Sequence, residues 1–241
     1  MKQRADLLLV QRGLFESRKR AQDAIAAGLV RANGRPVQKP SETLASDAAI
    51  EAAAPHPWVS RGGVKLDAAL THIEIEAAGK ICLDIGASTG GFTDVLLTRG
   101  AARVYAVDVG HGQLHRRLVA DARIVSMEGS DARELTPEQF AEAPELITCD
   151  VSFISLKLVL PHISTLAAAR ADMVCLIKPQ FEAGRGHVNK GIVTDPAMHA
   201  AVCAGIESRL RDLGWRILGL MPSPLLGGDG NHEFLIGATR P

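Results

Sequence analysis

The sequence predicts an α/β protein with a mostly parallel, seven-stranded sheet closed by a C-terminal antiparallel hairpin, preceded by a small α+β unit. Three observations predict it. First, apolar strand-like runs at Ile81–Ile85, Val104–Val107, Ile124–Met127, Leu146–Cys149 and Met173–Ile177 alternate with helical patterns, which places parallel strands beneath helices on both faces. Second, two further runs, Ile217–Met221 and Phe234–Ala238, are joined by a Gly-rich loop with no helix between them, so they read as a hairpin. Third, Ala52-Ala53-Ala54-Pro55-His56-Pro57 sets two prolines close together, and each biases its predecessor away from helix. The chain divides there, into residues 1–57 and 58–241.

The first unit is built in order. Asp6 is expected to cap a short apolar helix that includes Leu7 and Val10, with Gly13 placed for a left-handed stop. Ser17 is expected to cap a second helix in which Ala21, Ala24, Ile25 and Gly28 follow the i, i+3, i+4, i+7 pattern. Lys19 then points to solvent while Arg18 and Arg20 flank the buried stripe. Leu29 to Val37 reads as a hairpin turning at Asn33-Gly34.

Composition supports this division. The 241 residues are 46% hydrophobic and 4% aromatic, enough for one ordinary domain plus a small one. Net charge is zero, but residues 1–40 hold nine Lys/Arg against three Asp/Glu, leaving eighteen against twenty-four in the remainder. The chain is thus a basic head on a mildly acidic body, a pattern that a solvated surface also gives. Cys82, Cys149, Cys175 and Cys203 form no C-x-x-C pair, so neither a zinc site nor a disulfide framework is expected. Leu7–Val10 is too short for a signal-peptide core, and no run approaches the roughly 20 apolar residues that span a bilayer. The sequence therefore reads as a soluble, cytoplasmic protein without a membrane partner.

Residues 4 to 52 resemble the RNA-binding module first named for ribosomal protein S-four. The resemblance is carried by Arg4-x-Asp6-x-x-Leu9, Ser17-Arg18, Ala21, Ile25-x-x-Gly28-x-Val30, Asn33-Gly34 and Lys39-Pro40-Ser41. It implies a positive surface, with Arg4, Arg18, Lys19, Arg20 and Lys39 as candidate RNA contacts, set against the phosphates of structured RNA.

In an open α/β sheet the ligand crevice lies outside the carboxyl ends of the strands. The first run ends in Leu83-Asp84-Ile85-Gly86-Ala87-Ser88-Thr89-Gly90-Gly91 and leads into a helix with Phe92, Val95 and Leu96 on its inward face. Small residues allow close backbone approach, and a helix N-terminus offers free N–H groups. A dinucleotide fingerprint needs a glycine two after Gly86, where Ser88 stands, so an NAD or FAD site is disfavoured. The turn instead resembles motif one of S-adenosylmethionine-dependent methyltransferases. That resemblance implies cofactor contacts at Asp84, Gly86, Ala87, Ser88, Thr89, Gly90, Gly91 and Phe92. Asp108 ends the next strand and can accept hydrogen bonds from both ribose hydroxyls. Asp131 is placed to bind the adenine amine, or is a solvent-facing loop carboxylate.

The fourth segment bears on the acceptor. Enzymes that methylate exocyclic base amines carry a Pro-Pro-Tyr-like run here, whereas this chain has Asp150-Val151-Ser152-Phe153. Carbon methylation needs a cysteine nucleophile after the strand, but Cys149 precedes Asp150 and alternation turns it into the sheet packing. What remains is Lys65, Asp150, Lys178 and Glu233. Their order looks like the Lys-Asp-Lys-Glu tetrad of FtsJ-type ribose 2′-O-methyltransferases.

With the first unit added, the whole chain resembles the TlyA family of hemolysin-like ribosomal-RNA 2′-O-methyltransferases. The specific strings are Ser60-Arg61-Gly62-Gly63-x-Lys65-Leu66, Asp150-Val151-Ser152-Phe153-Ile154-Ser155-Leu156, Lys178-Pro179-Gln180-Phe181-Glu182 and Gly230-Asn231-x-Glu233-Phe234. The resemblance implies a Rossmann-like fold, S-adenosylmethionine as cofactor, ribosomal RNA or ribosomal subunits as partner, and 2′-O-methylation of cytidine ribose in small-subunit RNA and, in some members, also large-subunit RNA. Asp150 serves both cofactor and tetrad, and Lys178 is the expected general base. The competing classes are a membrane-active hemolysin and an RNA-binding protein with an inactive methyltransferase domain. His111 and His115 stand i, i+4, but no third ligand accompanies them and no metal is expected. Ala183 to Thr194, with Gly184, Arg185, Gly186, His187, Lys190 and Gly191, reads as an RNA-touching lid or a plain connection.

Overall fold

In the computed structural model, which describes residues 2–227 and 230–241 apart from the Arg185 side chain, the chain forms two compact units meeting at Pro57 and Trp58. The smaller contains β1 (Lys2–Arg4), α1 (Ala5–Gln11), α2 (Arg18–Ala26), β2 (Val30–Ala32), β3 (Arg35–Pro36), β4 (Thr43–Ala45) and β5 (Ile50–Ala52). Ser17 caps α2 as expected, its Oγ accepting from Arg20 N–H at 3.3 Å. The β2–β3 hairpin turns through Asn33 (φ 49°) and Gly34 (φ 74°), the left-handed pair that matches strand twist. Two further pairings, β1 with β4 and β2 with β5, complete the unit; they join segments too short to show a period. Leu8, Leu9, Phe15, Ala21, Ile25, Val30 and Val37 form its core.

One expectation fails here. Asp6 lies inside α1, whose cap is Arg4. Its side chain turns inward rather than over the helix start, because Arg4, Arg18 and Gln22 all converge on it.

The larger unit runs α3 (Arg61–Ile73), β6 (Ile81–Ile85), α4 (Gly91–Thr98), β7 (Arg103–Asp108), α5 (Arg116–Val119), β8 (Ile124–Glu128), β9 (Leu146–Cys149), α6 (Leu156–Leu166), β10 (Ala171–Ile177), α7 (Pro179–Glu182), α8 (Pro196–Asp212), β11 (Arg216–Pro222) and β12 (Phe234–Arg240). The sheet order is β11-β12-β10-β9-β6-β7-β8. Strands β6 to β10 are parallel, and β12 pairs antiparallel with both β10 and β11. The expected hairpin is present, and all seven strands contain the runs read from the sequence.

Both faces of the sheet are covered. Ile81, Leu83 and Ile85 pack with Leu156, Leu160, Ile163, Ile206 and Leu210 of α6 and α8. Cys82 and Val104 pack on the other side with Leu66, Leu70, Val95 and Leu96 of α3 and α4. Each fully buried aliphatic side chain of this kind contributes roughly 1.5–3 kcal/mol. The strand order reverses between β6 and β9, which opens a crevice at their carboxyl ends.

Candidate active site

The glycine turn starts where β6 ends. Gly86 has φ 80°, and a Cβ there would collide with the backbone oxygen of Asp150. Glycine is thus required both by the left-handed conformation and by the closeness of the β9 strand end. Gly91 opens α4 against Ser60, whose Oγ occupies the space a Cβ would need. The turn is therefore wedged between β9 and the start of α3, the helix that carries Lys65. Gly90 (φ 93°) faces Leu114 and Leu118 instead, so its contribution is to the shape of the turn.

Two adjoining cavities lie over this turn. The larger, about 680 Å³, is walled by Gly86 and Ser88, by Asp108 and Asp131, and by Asp150 to Phe153. The smaller, about 140 Å³, is walled by Gly86, Ala87, Ser88, Thr89, Gly91 and Phe92 together with Lys65 and Asp150. Asp150 borders both. A long ligand with a nucleoside at one end and a charged tail at the other fits this pair.

Asp108 accepts the N–H of Ser88 at 2.8 Å and of Gly110 at 2.7 Å, which holds the carboxylate at the rim with lone pairs left for a ribose. The next loop is fastened by Glu128, which accepts the backbone N–H groups of Gly112, Gln113 and Leu114. Those bonds to the charged form hold its carboxyl below the ordinary range. Asp131 lines the cavity while ion-paired to Arg133 at 2.6 Å, which lowers its pKa to about 2.

Asp84 departs from expectation. It is fully buried and turned under the sheet, where Thr93 Oγ1 donates at 2.6 Å and Thr148 Oγ1 at 3.0 Å. Burial raises its pKa to about 6, against the lowering effect of the two hydroxyls. It ties β6 to α4 and β9, and it borders neither cavity. The cause is strand alternation: with Leu83 and Ile85 on the α6 face, Asp84 must enter the α4 face.

The tetrad divides into two ion pairs. Lys65, on α3, and Glu233, just before β12, are both buried and bonded to each other. Lys178, at the end of β10, lies 2.6 Å from Asp150 Oδ1 in an ion pair that is off the line of a hydrogen bond, and donates to Ser152 Oγ at 2.8 Å. The four residues thus come from four separate segments: Lys65 and Asp150 line the cavities, and Glu233 and Lys178 stand behind them as their ion partners.

Phe153 and Phe181, which no sequence pattern singles out, stand together beside the crevice. Phe153 has φ 64°, which is strained for a non-glycine residue. Its side chain is 92% exposed at the mouth of the larger cavity, with the Phe181 ring 5.2 Å away. A strained and exposed aromatic carries a signal only in backbone geometry, which a string of letters does not contain.

In the small unit, Arg4 and Arg18 are tied to Asp6 but remain about half exposed. Lys19 pairs with Asp23 along α2, Arg20 donates to the His56 carbonyl at 3.3 Å, and Lys39 is exposed. The lid expectation meets an anchor: the buried Asn231 donates to Gly191 O at 2.8 Å and accepts from Val193 N–H at 3.1 Å. The Arg185 side chain lies outside the described residues. Cys149 packs fully buried beside Cys175, whose contact together with burial raises its pKa, in keeping with a structural thiol. Among the described residues no group of three or more His, Cys, Asp or Glu is placed to hold a metal, and no helix is long and apolar enough to cross a membrane.

Comparison with known proteins agrees with this geometry. The Bacillus subtilis protein YqxC is 48% identical over 243 residues, covering 100% of this chain and 86% of the relative. The 16S/23S rRNA (cytidine-2′-O)-methyltransferase TlyA of Mycobacterium tuberculosis is 46% identical over 236 residues, covering 97% and 88%. A solved Streptococcus thermophilus structure superposes with a TM-score of 0.79 at 42% identity, covering 99% of this chain and 88% of that one. An S4 domain matches residues 3–50 and the FtsJ-like methyltransferase model matches residues 58–240. Behind its S4 domain, this chain belongs to the FtsJ-like methyltransferase family, whose methyl donor is S-adenosylmethionine.

Proposed function

We propose that this protein transfers the methyl group of S-adenosylmethionine to the 2′-hydroxyl of a cytidine ribose in ribosomal RNA. The observation that carries the reading is Lys178, held against Asp150 and Ser152 at the edge of the crevice above the glycine turn. The relatives supply the nucleotide: the Mycobacterium tuberculosis protein is named for cytidine-2′-O methylation of 16S and 23S rRNA.

The cofactor, when bound, supplies an electrophilic methyl group. Asp108 orients its ribose, and the backbone of Gly86 to Gly91 accommodates its tail. A ribose hydroxyl is a weak nucleophile at neutral pH, so a base must take its proton as the oxygen attacks, and Lys178 is the residue placed to do so. Asp150 and Ser152, on the cavity wall, hold the lysine, and the Lys65–Glu233 pair keeps α3 and the β12 approach in register. Phe153 offers a face on which the acceptor base stacks. The S4 domain adds affinity for structured RNA through phosphate contacts.

Lys178→Ala is expected to lower turnover on ribosomal subunits by roughly 10²–10⁴-fold, the usual range for a general base. S-adenosylmethionine affinity by calorimetry should stay unchanged. Wild-type turnover in the variant would remove Lys178 from the mechanism. Continued methylation of RNA bearing a 2′-deoxy target nucleotide would move the acceptor from ribose to base. Red-cell lysis by the Lys178→Ala protein would instead support a hemolysin.

A further inference from the structure

Glu182 closes the Lys178-Pro179-Gln180-Phe181-Glu182 string without a part in the reaction derived above. Its carboxylate reaches the segment that follows the neighbouring strand. Ser155 Oγ donates to Oε2 at 2.6 Å, and the Leu156 N–H donates to Oε1 at 2.6 Å. Ser155 is the cap of α6 and also accepts the Lys157 N–H at 3.1 Å. Glu182 therefore satisfies one of the free N–H groups at the start of an 11-residue helix and places a negative charge where the helix dipole favours it.

The two segments joined in this way are those that carry the open half of the site. One holds Lys178 and Phe181; the other holds Asp150, Ser152 and Phe153. The second is pinned at its beginning by Asp150 N–H donating to Ile85 O at 2.8 Å and at its end by Glu182. Between the two pins, Phe153 stands in a left-handed conformation that its own backbone disfavours.

We propose that Glu182 is a positioning residue: by clamping the start of α6 to the turn after β10, it sets Lys178 against Asp150 and holds Phe153 outward for the acceptor. The proposal rests on the methyl-transfer reading above. Glu182 itself borders neither cavity, so it acts on turnover and acceptor engagement through the segments it joins rather than by touching the cofactor.

The test uses the full-length protein with ribosomal subunits as substrate. Glu182→Ala should lower kcat about 10–100-fold, the scale of effect that a misplacement near 1 Å produces, with S-adenosylmethionine affinity within twofold of wild type. Glu182→Gln keeps an acceptor for the Leu156 N–H and should recover most of kcat. Phe153→Ala and Glu182→Ala should be less than additive when combined, because both act through one loop. Wild-type kcat in Glu182→Ala would overturn the proposal. So would a parallel loss of cofactor affinity, failure of Glu182→Gln to recover activity, or full additivity with Phe153→Ala. Should Glu182→Ala not fold, Ser155→Ala, which removes one of the two bonds, is expected to give a several-fold loss in kcat, and an unchanged kcat would count against the clamp. Absence of methyl transfer by the wild-type protein would sink the underlying reading instead.

Discussion

Asp6 in the S4 domain and Asp84 in the methyltransferase domain are both fully buried, yet their carboxyls shift in opposite directions. Asp6 is held well below the ordinary aspartate range by the bond from Arg4, with Gln22 and Arg18 adding to it. Asp84 meets uncharged donors, the hydroxyls of Thr93 and Thr148 and the Thr93 backbone N–H, and burial carries it up to about 6. Asp84 lies deep in its unit, where burial dominates, whereas Asp6 sits just beneath the surface, where the charge of its half-exposed arginine partners does. Each aspartate organises a candidate site from behind. Asp6 fixes two of the arginines on the basic face, and Asp84 fixes the strand and helix between which the cofactor turn is strung.

The comparison can be broken most severely at Asp6. Asp6→Ala removes the anion that three donors share, and breaking a buried pair costs about 3–5 kcal/mol. Because Arg4 and Arg18 are about half exposed, a value on the order of 3 kcal/mol is expected after solvent screening. Hydrogen exchange should show the S4 domain opening and RNA affinity should fall. Trp58 and Trp215 both lie in the other unit, so tryptophan fluorescence should report an undisturbed methyltransferase domain.

Asp84→Asn should act with the opposite sign. An amide can still bond both threonines and carries no charge to desolvate, so stability at pH 7.5 is expected to rise by about 1–2 kcal/mol. The pH dependence follows from the same shift. A carboxyl raised from 3.8 to about 6 contributes stability that is present at low pH and is lost as pH rises through about 6. Wild-type fluorescence melts should show that loss and Asp84→Asn should not. Asp6 works the other way, its contribution being full above the ordinary aspartate pKa and lost as pH falls below it. Identical melts for wild type and Asp84→Asn between pH 4 and 7.5 would refute the assignment.

The smallest effect separates scaffold from contact. Asp108→Asn should weaken S-adenosylmethionine binding about tenfold, or roughly 1.4 kcal/mol, while Asp84→Asn leaves it within twofold. A matching loss in both would return Asp84 to the ligand-contacting set.

Much of this was legible in the sequence. The five inner strands are legible as continuous runs buried on both faces, the edge strands β8 and β11 stay legible as apolar runs although partly exposed, and the two prolines before Trp58 lie where the units divide. The same continuity hid the orientation of Asp84: a strand that is apolar on both faces shows no polar alternation to say which side a single carboxylate enters. Asp6 was misread for a related reason. An acid near the start of a helix normally caps it, and its actual partners lie up to 16 residues away in α2.

The fold class and the division into two units follow from periodicity and the proline pair, and the family resemblance nominates the four tetrad residues; none of these needs coordinates. Tertiary structure alone pairs Lys65 with Glu233 and Lys178 with Asp150, each pair putting one member, Lys65 or Asp150, on a cavity wall. It alone also placed Phe153 outward and Glu182 across the α6 start. Such contacts depend on which strands become neighbours and on the backbone angles between them, and segments more than 20 residues apart in the chain acquire those relations only when the sheet assembles.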